Sequence, residues 1–241
     1  NNLQNRILGK VGASLTINDN LNVTGINGAH GGLQISGFDV TNNASIVADN
    51  ARIRIGEATY ANDAGTFSAI NNSDIELDTG ITINGGHLMS DATSRFVALG
   101  GSGIVLDDVS LDAGSEFVIA GNTSVDLFTA FVNNGTVKLQ DNGLSILTKL
   151  VVNGTVDYSG TGNFSNTNNL QNRLVGADAS ATLNNATDIE LNVGQLLIED
   201  ITVNNQAKIV ADKTTESTVN LRIDNSVINN LAPMSGLQAL N

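Results

Sequence analysis

Short runs in which apolar and polar residues alternate recur along the whole chain. They include LTI at 15–17, RIRI at 52–55, ITI at 81–83, TVKL at 136–139 and NLRI at 220–223. A period of two residues is the pattern of a β-strand that buries one of its faces. No segment carries the 3.6-residue apolar period of an amphipathic helix over several turns. The pattern therefore predicts an all-β protein with little helix.

The segments between these runs are rich in Asn and Gly, in combinations such as NG, GG, NN and DNG. Both residues adopt the left-handed backbone conformation of sharp turns more readily than others do. The chain has 25 Gly and a single Pro, which indicates many tight corners. Repeated corner asparagines, such as Asn42, Asn43, Asn204 and Asn205, are expected either to form hydrogen-bonded ladders or simply to occupy turns in solvent.

The chain also repeats itself. NNLQNR at 1–6 returns at 168–173, and ISGFDVTNNASIVAD at 35–49 reappears as IEDITVNNQAKIVAD at 198–212. LDDVSLDAGSEFVI at 106–119 falls into the same frame. A self-similar array of strands and turns is typical of a solenoid.

Two all-β folds compete for this pattern. A Greek-key sandwich has longer strands joined largely by hairpins and needs no repeat. A parallel β-helix stacks short strands in rungs, and the frame starts at 35, 106, 128, 147 and 198 lie near multiples of a rung of about 19 to 25 residues. The sequence therefore predicts a right-handed parallel β-helix of about ten or eleven rungs and about 50 Å in height.

No shift in composition divides the chain, so residues 1–241 are expected to form one β-solenoid domain in which 1–77 resemble 168–230. The chain begins without Met and inside a repeat. We therefore expect it to be a piece of a longer repetitive protein.

The common frame also predicts a core. Aromatic residues make up only 4% of the chain, so stacked aliphatic residues are expected to fill it rather than aromatic anchors. Six residues are predicted to be buried in vertical stacks, three at each of two frame positions: Ile35, Leu106 and Ile198, and Ile46, Phe117 and Ile209.

Charge and composition exclude several classes of function. The formal charge is −13 and no basic patch is present, so we expect no nucleic-acid partner. The acids are scattered singly, as on a solvated surface, although divalent cation binding by them stays open. The chain lacks Cys, which excludes disulfides and cysteine-ligated metals. No apolar run is long enough to predict a membrane span.

No familiar site motif is complete. GGSGIVLDD at 100–108 begins like a calcium-binding β-roll repeat, but Val105 stands where the Asp ligand belongs, so a glycine corner followed by a strand is predicted. His30 and His87 each stand beside a Gly pair, and lone histidines in turns are more often exposed to solvent than bound to metal. We therefore predict no catalytic, cofactor-binding or metal-binding residue.

The enzymatic alternative is a β-helix polysaccharide hydrolase or lyase. Inverting hydrolysis needs two carboxylates on one face, about 6.5 to 9.5 Å apart. Neighbours in a strand, such as Asp107 and Asp108, point to opposite faces, so we expect this pair at a corner or an outer strand edge. Fragments similar to polygalacturonase motifs occur in the wrong order: His30-Gly31-Gly32, Arg52-Ile53-Arg54, Asn72-Ser73-Asp74 and Asp107-Asp108.

NGTVKL at 134–139 and NGTVDY at 153–158, with strand runs such as ITING and LVVNG, resemble the β-helical stalks of secreted bacterial surface proteins. These include autotransporter passengers and filamentous-haemagglutinin-like adhesins. The resemblance covers the whole chain, as Asn/Gly corners and aliphatic strands, and it carries no catalytic residue across.

The resemblance implies a non-enzymatic structural or adhesive rod, extracellular or on a cell surface. Its expected partners are a second copy bound end to end or further coils of a longer chain, and surface glycans or receptors. An ice-binding solenoid would need regular Thr ranks on one flat face, whereas LTIN, ITIN and ITVN supply scattered single Thr.

Overall fold

In the computed structural model of the chain, every described strand pairs in parallel with a strand of a neighbouring coil, and the strands between the first and last coils pair on both sides. The structure describes residues 5–10, 12–25, 32–140, 147–167, 171–212, 219–233 and 236–240. These residues contain 29 strands and no helix. The strands follow one another around three faces of a coil, and each coil stacks on the last. The predicted all-β parallel solenoid is therefore confirmed.

The first face is a separate sheet of eleven strands, within the predicted number of rungs. With a spacing of about 4.8 Å between neighbouring strands, the stack is about 50 Å high. Its strands are β1 (Asn5–Leu8), β4 (Gly32–Ser36), β7 (Arg52–Gly56), β10 (Asp74–Leu77), β13 (Arg95–Ala98), β15 (Glu116–Ala120), β17 (Thr136–Gln140), β20 (Asn163–Asn166), β23 (Ile189–Leu191), β26 (Lys208–Asp212) and β29 (Gly236–Leu240).

The second face follows the first in each coil. Two of its strands are long and continue around the corner onto the third face, which joins the second and third faces into one sheet. The strands of the second face are β2 (Ser14–Ile17), β5 (Asp39–Asn42), β8 (Ala58–Ala61), β11 (Ile81–Asn84), the first parts of β14 (Ile104–Leu111) and β16 (Ser124–Asn133), β18 (Thr148–Val152), β21 (Asn172–Gly176), β24 (Gly194–Glu199) and β27 (Val219–Asp224).

The third face closes each coil and leads back to the first. It uses the last residues of β14 and β16. Its other strands are β3 (Leu21–Thr24), β6 (Ser45–Asp49), β9 (Thr66–Ile70), β12 (His87–Ser90), β19 (Thr155–Ser159), β22 (Thr182–Asn185), β25 (Thr202–Asn205) and β28 (Val227–Asn230).

The core is a set of vertical columns of apolar side chains inside the coil. On the first face one column runs through Ile53, Ile75, Phe96, Phe117 and Val137, each paired in register with the next. All five side chains are buried. Alternation along each strand sends every second side chain inward, which produces these columns.

Burial of the six predicted core residues is confirmed, because each is at most 1% exposed. Their assignment to two common stacks is wrong. Phe117 and Ile209 do share a column on the first face. Ile46, however, lies on the third face, in β6.

The other three residues also separate. Ile35 lies on the first face, in β4, whereas Leu106 and Ile198 lie on the second, in neighbouring columns. The copy at 35–49 is thus placed one face earlier than the copy at 198–212. A strand with its corner repeats three times per coil, so a repeat found in the sequence need not return to the same face.

The expected absence of aromatic anchors is also wrong. Of the seven Phe and two Tyr, seven side chains are buried in the core. Tyr60 meets Phe67 edge-on with ring centroids 5.3 Å apart, and Phe131 stacks on Tyr158 at 5.8 Å. Low aromatic content therefore did not keep the aromatic residues out of the core.

Asparagine ladders run along the coil inside and outside the third face. Inside, the buried Asn205 accepts a hydrogen bond from Asn185 Nδ2 at 2.8 Å and donates to Asn230 Oδ1 at 3.3 Å. Outside, Asn204 donates to Asn184 Oδ1 at 2.9 Å and accepts from Asn229 Nδ2 at 3.0 Å.

Two other predicted asparagines also form ladder bonds, beyond the second face. Asn42 Nδ2 donates to Asn62 Oδ1 at 2.6 Å, and both side chains are buried. Asn43 Nδ2 donates to Asn18 Oδ1 at 2.9 Å on the exposed side of the corner. The ladder interpretation of the corner asparagines is therefore confirmed.

Candidate functional site

The structure brings together charged residues from two of the sequence fragments that resembled sugar hydrolase motifs. Arg52 and Arg54 point outward from β7, and Asp74 points outward from the next strand, β10. Arg52 and Asp74 are register partners. His30, from a third fragment, lies outside the described residues. We call the outer surface of β7, β10 and β13 the charged lattice.

Three ion pairs link the three strands of the charged lattice. Arg52 Nε lies 3.2 Å from Glu76 Oε1, and Arg54 Nη2 lies 2.6 Å from Oδ2 of Asp78, the residue directly after β10. Arg95 on β13 follows the same scheme, with its Nε 3.0 Å from Asp74 Oδ1. The lattice therefore ties neighbouring coils together across about 10 Å of the stack.

Glu76 is the most buried carboxylate of the lattice, with 8% of its surface exposed. Burial raises its pKa; the charges of Arg52 and Arg54 lower it, and those of Asp74 and Asp78 raise it. Burial prevails, so Glu76 holds a proton more readily than an exposed glutamate. A carboxyl group of this kind could serve as a general acid, or simply as a paired member of the lattice.

Sequence reasoning did not find the lattice, although its signal is present. RIRI at 52–55 and DIEL at 74–77 both alternate charged and apolar residues. Their opposite charges become neighbours only through the register that pairs Arg54 with Glu76. That register depends on coil length, which the sequence did not settle.

The Asp107-Asp108 pair lies at the corner between the second and third faces, as predicted. Asp107 lies at the end of the second-face part of β14, and Asp108 turns the corner with φ 56°. The next residue, Val109, is buried in the core. The two carboxylates therefore do not share a flat face.

The other predicted turns and sites can also be placed. Gly100, Gly101 and Gly103 all have positive φ and are followed directly by β14, so the glycine corner and strand are confirmed. His87 is exposed, and its Nδ1 lies 2.8 Å from Asp112 Oδ1. Within the described ranges, no three His, Cys, Asp or Glu residues are grouped so that they could hold a metal ion.

Shallow grooves follow the glycine corners. One groove of about 320 Å³ lies at the corner between the first and second faces and is lined by Phe38, Asp39, Glu57 and Thr59 with several glycines. Glu57 has φ 47°, in the left-handed region. The glycines at this corner have no side chains to fill the space, which leaves the groove open.

No helix in the described part of the chain is long and apolar enough to span a membrane. Comparisons of the chain with protein-family models, with characterised proteins and with solved structures find no match. The geometry of the fold is therefore the basis on which a function can be proposed.

Proposed function

We propose that this protein is a non-enzymatic structural or adhesive rod of a microbial surface, in which the β-solenoid acts as a rigid spacer. The observation that carries the proposal is the continuous stack of coils, each tied to the next by parallel strands on all three faces. Buried columns, asparagine ladders and the charged lattice add side-chain links between coils. Such links oppose bending, because bending would have to break them.

Rigidity can be measured along one outward column of the second face. Asp39 and Asp224 are both exposed and lie eight strand steps apart in this column. At about 4.8 Å per step, their separation is about 38 Å. The chain has no Cys, so cysteines introduced at both positions can carry spin labels without competing sites.

Double electron–electron resonance on this pair should give one narrow distribution of distances between the two spin labels. Moving the first label from Asp39 to Thr59 removes one step, and the distance should shorten by about 5 Å. A broad distribution, or a distance that does not shorten when the label is moved, would exclude a rigid spacer. Urea-unfolded protein supplies the reference for a flexible chain.

The partners that we propose for the rod are a second copy bound end to end or further coils of a longer chain. Among the described residues, β1 to β3 and β27 to β29 each pair along one edge only. Core-facing residues beside these edges are exposed, with Ile223 at 37% and Leu237 at 46%. An open edge with apolar neighbours favours another strand.

Self-association at this edge has a direct test. Sedimentation velocity of the 241-residue chain should show a weight-average mass that rises with concentration, and Ile223→Lys should reduce the rise. A matched substitution at an exposed apolar residue away from the edge, Met89→Lys, should leave it unchanged. Equal behaviour of the two variants would exclude stacking at this edge.

The enzymatic alternative is favoured by one observation, the outward carboxylates Asp74 and Glu76 on a single strand, with Asp78 directly after it. Alternate residues of a strand are about 6.8 Å apart, within the range for inverting hydrolysis. Acidic and neutral polysaccharides should nevertheless yield no new reducing ends or unsaturated products. If the protein does degrade a polysaccharide and Glu76→Gln abolishes that activity, the proposed function as a rod has to be replaced by that of a polysaccharide-degrading enzyme.

A further inference from the structure

Phe128 departs from the behaviour of the other aromatic residues. Seven aromatic side chains are buried and Phe38 packs partly against the core, but Phe128 is 38% exposed. A weaker copy of the sequence frame starts at residue 128, but Phe128 is exposed, unlike the residues that start the copies at 35, 106 and 198. Its neighbour Leu127 points inward and is 1% exposed, so Phe128 points outward at the corner between the second and third faces.

A bulge shapes this corner. β14 turns it with one residue, Asp108, whereas β16 uses two, because Asp107 pairs with Phe128 and Val109 pairs with Phe131. The extra length brings Thr129 into the left-handed region at φ 45°. A β-branched residue is an outlier there, and bulges commonly redirect side chains next to functional sites.

The groups around Phe128 are mainly acidic. Asp107 lies one strand below it in register, and Asp126 lies two residues earlier on the same outward side. Asn153 Nδ2 donates to Asp126 Oδ1 at 3.4 Å. The cation facing this group is Lys149, whose charge acts on Asp126. We call Asp107, Asp126, Phe128 and Asn153 the Phe128 platform.

Two features leave the acids of the platform incompletely partnered. The Oδ1 atom of Asp107 is buried and accepts no hydrogen bond from the described residues. Asp126 lies between Val105 and Val151 in register, two half-buried apolar neighbours. A buried oxygen is out of reach of an external donor, so Asp107 contributes its negative charge to this surface, while the partly exposed carboxylate of Asp126 is the acceptor that a ligand can contact.

We propose that the Phe128 platform binds an arginine side chain of a basic peptide. The guanidinium would stack on the exposed face of Phe128 and donate hydrogen bonds to the carboxylate of Asp126, with the negative charge of Asp107 beside it. The formal charge of −13 would draw basic segments to the rod. This inference rests on the adhesive part of the proposed function and specifies its partner.

Charge complementarity favours arginine over two other occupants. A neutral sugar could stack on Phe128, but it would add no positive charge beside Asp107, Asp108 and Asp126, where the nearby cation is Lys149. A second copy would bring another strongly acidic surface against this one. A planar guanidinium satisfies the ring and a carboxylate together, which a lysine ammonium does less well.

The test uses the full chain and the peptide acetyl-Gly-Gly-Arg-Gly-Gly-amide at low ionic strength. In an NMR titration, the backbone amide signals of Phe128 and Thr129 should shift with saturation. Phe128→Ala should weaken binding about threefold to fivefold, in line with a surface cation–π contact. Asp107→Asn should weaken it as well, and 0.5 M salt should weaken it further.

Two controls decide the result. The citrulline peptide has the same shape without the charge and should not bind, and Met89→Ala removes an exposed apolar side chain on another face and should have no effect. Equal binding of citrulline, or no change with Phe128→Ala, overturns the proposal. So does saturable binding of a neutral oligosaccharide that depends on Phe128, or concentration-dependent self-association lost in Phe128→Ala. The spin-label distances test the rod separately, so either idea can fail alone.

Discussion

Asn204 and Asn205 offer a sharp test of the register of the third face. They are adjacent in β25, and each takes part in two side-chain hydrogen bonds along a ladder. They differ in burial, because Asn205 is 0% exposed and Asn204 is partly exposed on the outer side. Replacing each with Ala removes the same atoms from two environments.

The magnitude follows from the partners left behind. Asn205→Ala leaves Asn185 Nδ2 and Asn230 Oδ1 without this partner and also removes the bond of 2.7 Å to Ala207 O. A buried polar atom left unpaired costs about 1 to 3 kcal/mol. We therefore expect a loss of about 3 kcal/mol in the free energy of unfolding.

Asn204→Ala should lose less than about 1 kcal/mol, because water replaces its partners on the outer side. Urea denaturation monitored by circular dichroism gives both free energies of unfolding. The two variants can be compared if the dependence of the free energy on urea concentration, the m-value, is the same for both. A slip of one residue in register would exchange the two positions between core and solvent. Equal losses, or a larger loss for Asn204→Ala, would therefore refute the register of this face.

Three further substitutions test the core, the strained corner and the lattice. Ile209→Asp should destabilise the protein by about 3 kcal/mol or more in urea denaturation, because it buries an unpaired charge. Thr129→Gly should raise the free energy of unfolding by about 1 kcal/mol, since Gly adopts φ 45° without steric cost. As a control, Asn122→Gly should change the free energy of unfolding by only about a few tenths of a kcal/mol, because Asn already tolerates φ 62° at this position. Burial raises the pKa of Glu76, so the folded state binds this proton more tightly than the unfolded state and stability should fall as pH rises from about 4.3 through the raised pKa; Glu76→Gln should remove that part of the pH dependence.

The six predicted core residues show that the alternation of apolar and polar residues is enough to predict which side chains are buried. Each is buried, because the inward or outward direction of a side chain depends on the local period of two. Asn42, Asn43, Asn204 and Asn205 were likewise recognisable as corner residues capable of ladders. The glycine corner before β14 followed from the backbone freedom of Gly.

The face on which each residue lies was not predictable in the same way. Ile35 and Ile198 hold the same place in a sequence repeat yet lie on different faces, because the coils differ in length. Leu33 pairs with Ile53, 20 residues on, whereas Val137 pairs with Phe164, 27 residues on. The face on which a residue lies therefore depends on the summed lengths of all the coils before it.

The sequence by itself determined the class of fold, the inward side of the strands and the residues that turn the corners, since each depends on a few neighbouring residues. Only the tertiary structure decided that Arg54 meets Glu76 and that Phe128 faces solvent. The first depends on a register set by a coil of 22 residues, and the second on one extra residue in a bulge. Which residues of neighbouring coils contact each other depends on the number of residues in each coil, and a local sequence pattern does not contain that number.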